Sequence, residues 1–309
     1  MKKSKVFKKL KIALTTSVLA LSATLVSVPV QNYLGLEVVS IASQARIGKK
    51  SLSIKVGQKT KLKVVGTKKK AKWTSSDKTI ASVDKNGNVV GISNGTAYVD
   101  AKIGKKTYSC TVNVKFDAES AKKNISVELK DTGDGVVAII KNNNSYTLNV
   151  KANFVYFNGG SMISSDSEEN PGLESKKECA VFFSCPLDSD YKKVAYDDYK
   201  ISVNVDCPSG SLIPNVDGIS VKSNLGANNI TAEATNNSKI KYSSAVISCV
   251  MYDNYGHAIG YDWHYLDCDN PGDTDYLSFD FPEDSNYNPI IPASYEIYIN
   301  SAYTYSWNL

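Results

Sequence analysis

The chain has 309 residues, 42 % of them hydrophobic and 22 % charged, with a net charge of +5, six cysteines and two histidines. One apolar run approaches the length needed to cross a bilayer and no second follows it, which leaves no second candidate for a transmembrane helix. The two histidines, His257 and His264, leave no convergent acid, base and nucleophile, so an enzyme is not expected.

The first eleven residues carry Lys2, Lys3, Lys5, Lys8, Lys9 and Lys11, and the apolar segment from Ile12 to Val30 is interrupted by Ser and Thr. This predicts a secretory signal peptide and leader over residues 1–45, with Ser43-Gln44-Ala45 as the small-residue cleavage pattern and an uncleaved anchor as the alternative. The C-terminal Tyr305-Ser306-Trp307-Asn308-Leu309 offers no hydrophobic tail or sorting signal, so surface retention is expected to be non-covalent.

Residues 46–116 read as a first module of short strands. Its clearest element is a hairpin around Asn86-Gly87, flanked by Ala81, Val83, Val89, Val90 and Ile92, in which that dipeptide supplies the positive φ of a tight turn. Cys110 alternates with Tyr108, Val112 and Val114 and is placed on the core side of a strand. The module carries seventeen Lys and Arg against Asp77, Asp84 and Asp100, or +14, whereas residues 117–309 carry thirteen basic and twenty-seven acidic residues, or −14. The exported chain is therefore dipolar.

Beyond Phe116 the chain repeats once. The segment from Ile125 matches that from Ile219, Asn170-Pro171-Gly172 matches Asn270-Pro271-Gly272, the run from Pro186 to Tyr191 matches that from Pro282 to Tyr287, and Tyr199-Lys200-Ile201 matches Tyr295-Glu296-Ile297. Short alternating strands between Asn, Asp, Gly and Pro turns predict an antiparallel sandwich in each copy. The fold class expected is all-β, three tandem antiparallel Ig-like sandwiches after a signal peptide, with the copies at 117–210 and 211–309.

Two resemblances bear on this. Trp73, Ser75 and Ser76, then Ala81, Val83 and Asp84, the turn Gly87, and the closing Gly95-Thr96-Ala97 give residues 47–116 the pattern of a bacterial immunoglobulin-like group 2 domain, which it resembles. The centre of each copy, Phe154-Val155-Tyr156-Phe157-Asn158 and Cys249-Val250-Met251-Tyr252-Asp253, with Asn turns upstream (Asn143 to Ser145, Asn236 to Ser238) and Pro-Gly turns downstream, resembles the FxLYD domain. The first resemblance implies stalks and adhesive modules of secreted proteins. The second implies a sandwich in exported bacterial proteins, without known catalytic residues.

Candidate sites follow. Lys49, Lys50, Lys68, Lys69, Lys70, Lys72, Lys105 and Lys106 gather near predicted turns, too many for three acids to neutralise, and such a field attracts polyanions. Outside a thick-walled bacterium these are teichoic acids and anionic glycans. Nucleic acid is disfavoured, because no aromatics interleave with the lysines, and the mature form is not expected in a membrane. A host surface is the other partner considered, and folding of the basic module back onto the acidic copies is a further reading.

Tyr261, Trp263 and Tyr265 share a strand face at period 2, as do Tyr303, Tyr305 and Trp307. Either row can stack on sugar rings, giving a carbohydrate-binding accessory protein as the alternative function, or can be core or contact. No cofactor is implied. Asp267, Asp269, Asp273 and Asp275 form a weak calcium candidate, and Gly91-Ile92-Ser93-Asn94-Gly95 satisfies the G-x-S-x-G pattern by accident. Free buried thiols are the state expected of the cysteines, with Cys185 to Cys207 and Cys249 to Cys268 as the alternative disulfides.

Overall fold

The computed structural model describes residues 44–308, and the leader expected at the N-terminus lies outside the described residues. The first module holds β1 (Arg46–Ile47), β2 (Ser51–Lys55), β3 (Lys59–Lys61), β4 (Val64–Val65), β5 (Lys72–Ser75), β6 (Ala81–Val83), β7 (Asn88–Gly91), β8 (Gly95–Ile103) and β9 (Lys106–Lys115). Their sheets are β2-β9-β8-β5, β3-β7-β6 and the short pair β1-β4. The alternation in β8 and β9 turns Ala97, Val99, Ala101, Cys110, Val112 and Val114 inward onto Ile54, Leu62, Ala81 and Val89. The hairpin differs in detail from its prediction. Gly87 alone has positive φ, at 80°, and a Cβ there would lie 2.7 Å from the Leu62 carbonyl oxygen and 2.8 Å from the Trp73 ring. One pairing departs from the antiparallel expectation, since β2 runs parallel to β9.

After α1 (Ala118–Lys122), whose first turn is capped by Asp117 accepting from Ser120 N at 3.1 Å, come β10 (Ile125–Asp131), β11 (Gly135–Asn142), β12 (Leu148–Asn158), β13 (Ser161–Leu173), β14 (Glu178–Ser184) and β15 (Asp198–Asp206). The third part holds β16 (Leu212–Pro214), β17 (Ile219–Leu225), β18 (Asn229–Asn236), β19 (Ser244–Tyr252), β20 (Ala258–Tyr265), β21 (Thr274–Asp280) and β22 (Ser294–Tyr305). The sheets are β10-β11-β14 with β13-β12-β15, and β17-β18-β21 with β16-β22-β19-β20. Apart from β16, the two orders are the same, each enclosing its own core.

Buried asparagines fix the true register between the copies. Asn142 Nδ2 donates to the carbonyls of Tyr146 and Leu173, at 2.9 Å each, and its Oδ1 accepts from Asn144 N. Asn236 repeats this with Ile240 at 3.1 Å, Asp269 at 2.8 Å and Ser238 N. The Asn turn of the first copy therefore begins at Asn142, one residue before the sequence match placed it. The Pro-Gly match is also out of register. Lys176 N and Gly272 N both donate to these asparagines' own carbonyls, so Glu174-Ser175-Lys176 is the counterpart of Asn270-Pro271-Gly272. Lys176 takes the glycine's conformation, with φ 66°, while Asn170-Pro171-Gly172 lies within β13.

Four loops share one geometry. Asp84, Asp188, Asp253 and Asp284 each accept through Oδ1 from the backbone N–H two and four residues on, within 2.8–2.9 Å. Each needs positive φ at its fourth residue. Gly87 and Gly256 supply it freely, whereas Tyr191 and Tyr287 adopt it at a cost of about 1–2 kcal/mol each.

The copies pack on each other through a fourth apolar cluster. Along β11, Val136, Ala138 and Ile140 face the copy's own core, while Val137 and Ile139 join Ala180, Val250, Tyr252, Ala258 and Tyr298 between the copies. This run is apolar throughout because both faces are buried. The matching outward positions of β18 are Thr231, Glu233 and Thr235, and that outer face is polar. The first module meets the second part through Lys55 and Asp117, paired at 2.7 Å, and through Tyr146, whose ring leaves no space for a Cβ at Gly57.

Replacing Asn236 with alanine leaves the Ile240 and Asp269 carbonyls without their donor, and is expected to cost about 3 kcal/mol, read as a lowered urea midpoint. An unchanged midpoint would remove the buried amide from the account of the fold.

Candidate functional site

Two regions carry the sequence-predicted residues. In the first module Lys72 pairs across from Lys102 at the end where the β8–β9 hairpin turns, at Ile103 and Lys106. Lys105 lies in that turn, Lys68 to Lys70 in the loop entering β5, and Lys49 and Lys50 just before β2, which starts level with Thr111. All eight are exposed, and among the described residues none takes part in an ion pair. The module's acids are engaged locally: Asp77 with Thr79, Asp84 with Asn86 and Asn88, and Asp100 with Ser109. Hydrogen bonds from Thr79 and Asn88 hold the Asp77 and Asp84 carboxyls below the usual range. The lysines that meet the acidic copies are few, with Lys55 on Asp117 the ion pair, so the fold-back reading is not borne out among the described residues.

The second region is a groove of about 330 Å³ between the two copies. Its walls come from edge strands. On β20, Tyr261, Trp263 and Tyr265 lie opposite Val250, Ser248 and Val246, on the face turned toward the first copy. On β13, Asp166 and Glu168 lie opposite Phe154 and Ala152, on the core side of an edge strand, where charge discourages strand addition. Phe182, Val181, Asn170 and Asn300 are among the other lining residues.

The aromatic row does not act as one unit. Tyr261 stacks on Phe182, with centroids 5.4 Å apart and planes 13° from parallel, and its hydroxyl donates to the Ala180 carbonyl at 3.0 Å. It is a contact residue between the copies, which corrects its place in the stacking row. Trp263 and Tyr265 remain 48 % and 67 % exposed, edge to face at 5.2 Å. The C-terminal row is partly open as well: Tyr303 meets Tyr305 edge to face at 5.7 Å, and Tyr305 stacks on Trp307 at 4.6 Å.

Across the groove, Glu169 pairs with Lys151 at 2.7 Å, while Asp166 and Glu168 have no ion-pair partner among the described residues. Burial, with Asp166 beside it, raises the Glu168 carboxyl above its usual range. Asn170 is 5 % exposed; its Nδ2 donates to the Asn300 carbonyl, and its Oδ1 has no hydrogen-bond partner. Asn300 in turn accepts through Oδ1 from Ala180 N at 2.9 Å and Ser248 Oγ at 3.1 Å.

The remaining candidates take other roles. Ser93 follows β7 without a helix, and its Oγ donates to the Thr79 carbonyl at 2.7 Å, a structural bond. The calcium candidate is corrected, since no cation-holding group of three such residues occurs among the described residues. Asp275 instead accepts from Asp267 N, and Asp273 from Asn270. His257 and Asp253 form an exposed pair at 3.1 Å, and His264 lies 3.5 Å from Asp262. All six cysteines are free, as the favoured reading had it, and neither alternative disulfide forms. Cys207 packs toward the first module, near the Ile92 carbonyl, rather than toward Cys185. Burial pushes the Cys179 and Cys249 thiols up to about 12, which makes them inert packing residues.

Residues 69–116 match the family model of a bacterial Ig-like domain of the Big-like type. Modules of this kind are typical of extracellular and surface proteins, and no helix of the described residues is long and apolar enough to cross a membrane. Among solved structures, Escherichia coli alpha-2-macroglobulin activated by porcine elastase is similar at 10 % identity and a TM-score of 0.18, over 85 % of this chain and 30 % of that one. A native fragment of Escherichia coli alpha-2-macroglobulin spanning domains MG0-NIE-MG1 is similar at 12 % identity and a TM-score of 0.21, over 75 % and 85 %. Salmonella alpha-2-macroglobulin reacted with methylamine gives 12 % and 0.16, over 83 % and 23 %. The chain thus spans under a third of the first of these, and at such TM-scores the likeness carries no functional argument. No curated protein matches the chain.

Two predictions follow from the contact between the copies. Tyr261→Ala is expected to cost about 3 kcal/mol and Trp263→Ala under about 1 kcal/mol in chemical unfolding; equal costs would refute the division of the row. Glu296 accepts from Tyr298 at 2.6 Å and Tyr252 at 2.8 Å, which lowers its carboxyl, with Lys130 adding to the effect. Its contribution is present above the unfolded glutamate range and is lost as pH falls through the lowered folded value. Glu296→Gln is expected to flatten the acid limb of a stability-versus-pH curve, and an unaltered limb would count against it.

Proposed function

We propose that this chain is an exported, non-catalytic binding protein of the cell envelope, whose basic module holds anionic wall polymers while the acidic copies are displayed outward. The observation that carries this reading is the concentration of Lys49, Lys50, Lys68, Lys69, Lys70, Lys72, Lys105 and Lys106 at exposed positions in turns and at strand ends, without ion-pair partners among the described residues. Unpaired lysines keep their field available to a polyanion, and the field is screened within about 10 Å at 0.1 M salt. Residues 117–309, at −14, repel the same polymer, which favours attachment by one end.

Co-sedimentation with purified cell walls tests this. Bound protein is expected to fall about tenfold as salt rises from roughly 50 to 500 mM, and exchange of Lys68, Lys69, Lys70 and Lys72 for glutamine is expected to weaken low-salt binding comparably. Absence of binding at low salt, or binding indifferent to salt, would overturn the assignment.

A further inference from the structure

The groove between the copies has features that packing does not require. Contact between the copies is already complete in Tyr261, Phe182 and the apolar cluster beneath them, yet Trp263 and Tyr265 continue the row into solvent. In the first copy the corresponding β13 positions are Ser167 and Glu169, and the face of that strand is polar. The aromatic surface also extends past the groove. Val246 lies between Tyr265 on β20 and Ser301 on β22, and two residues further Ser244 lies opposite Tyr303. Tyr303 leads on to Tyr305 at the end of β22, and Trp307, which the period-2 reading placed on the same strand, instead lies in a 3-10 turn beyond it and stacks on Tyr305. Exposed aromatic side chains grouped beside polar residues, here Trp263, Tyr265 and Trp307, are a feature of binding surfaces.

The chemistry opposite the aromatics is acidic. Asp262, the counterpart of Asp166 in the second copy, has its Oδ2 occupied by Asp280 N at 3.0 Å, whereas Asp166 uses only Oδ1, on its own neighbour Ser167 N. Glu168 has neither an ion-pair nor a hydrogen-bond partner among the described residues. Below them the buried Asn170 Oδ1 stands unpartnered in the groove lining. Two exposed carboxylates thus line the same groove as a half-exposed indole, above a buried polar atom. An isolated cation would use the carboxylates and leave the aromatic strip unexplained, and a neutral glycan would use the strip and leave the paired acids without a role. An ammonium group carried on a ring satisfies both, stacking by its face and donating from its edge.

We propose that the groove and its aromatic strip bind a glycan chain bearing free amino groups, with Trp263 and Tyr265 stacking on a sugar ring and Asp166 and Glu168 receiving its ammonium. This site is separate from the lysines of the basic module, and its ligand has the opposite charge. The groove volume lies at the small end of ligand pockets, which matches one or two rings held there while the rest of the chain runs along Tyr303, Tyr305 and Trp307.

Titration of the full chain with short glucosamine oligomers, followed by tryptophan fluorescence, is the test. The expected result is saturable change, with binding about tenfold tighter than for N-acetylated oligomers of the same length. Asp166→Asn and Glu168→Gln are each expected to weaken binding about tenfold, as for loss of one charge-assisted hydrogen bond. Trp263→Ala is expected to abolish it with an unchanged circular dichroism spectrum. The proposal is overturned if no oligomer binds, if the N-acetylated oligomers or a lysine peptide bind as well as glucosamine, or if the two carboxylate variants bind like the parent. Loss of wall association on lysine exchange leaves this result untouched, so the two assignments fail separately.

Discussion

Burial of β11 on both faces is the constraint from which the rest of the molecule follows. A strand in a sandwich normally gives one face to its core and one to water, and its residues alternate accordingly. In β11 the second face, Val137 and Ile139, is closed by Val250, Tyr252 and Tyr298 of the next copy. Burying these five side chains stabilises by several kcal/mol at about 25 cal/mol per Å², enough to make the contact between copies a core in its own right. Around it lie polar bonds that fix orientation: Asn300 to Ala180 and Ser248, Glu174 to Val216 N, and Tyr261 to the Ala180 carbonyl.

Once the copies are held this way, two edge strands that would otherwise face solvent are brought opposite each other. β13 contributes acids and β20 contributes aromatics, and neither alone forms a concave surface. The chemistry of the groove is therefore a property of the junction. The same division of labour holds for charge along the chain, where lysines gather in the first module while carboxylates dominate beyond it. Local turns consume several acids as acceptors, so those left unpaired in the groove stand out.

Much of the architecture was legible in the sequence, because alternation, turn residues and internal repetition report directly on strands. The Trp73 to Val99 stretch marked the first module, and the repeated Asp-led loops marked the copies. Where sequence identity was followed too literally it misled. Asn-Pro-Gly occurs in both copies, yet the structural counterpart of the second is Glu174-Ser175-Lys176, because the buried asparagine and its hydrogen bonds set the register. The row at Tyr261, Trp263 and Tyr265 was visible, but its division into one contact residue and two exposed ones depends on Phe182, eighty residues away in the other copy. Asp166 and Glu168 gave no signal, since two acids on an edge strand read as a solvated face until another strand is brought across from them. The free buried thiols were legible from strand phase, whereas the alternative pairings were not, because phase says which way a thiol points and nothing about which strand it meets.

The polar exterior of β18 has a consequence for assembly. Where β11 presents valine and isoleucine to a neighbour, β18 presents Thr231, Glu233 and Thr235. Stacking one such sandwich on the next is self-propagating only if every unit offers the sticky side, as in solenoid arrays. Here the series is terminated after a single junction, so that surface gives one molecule no means of adding the next.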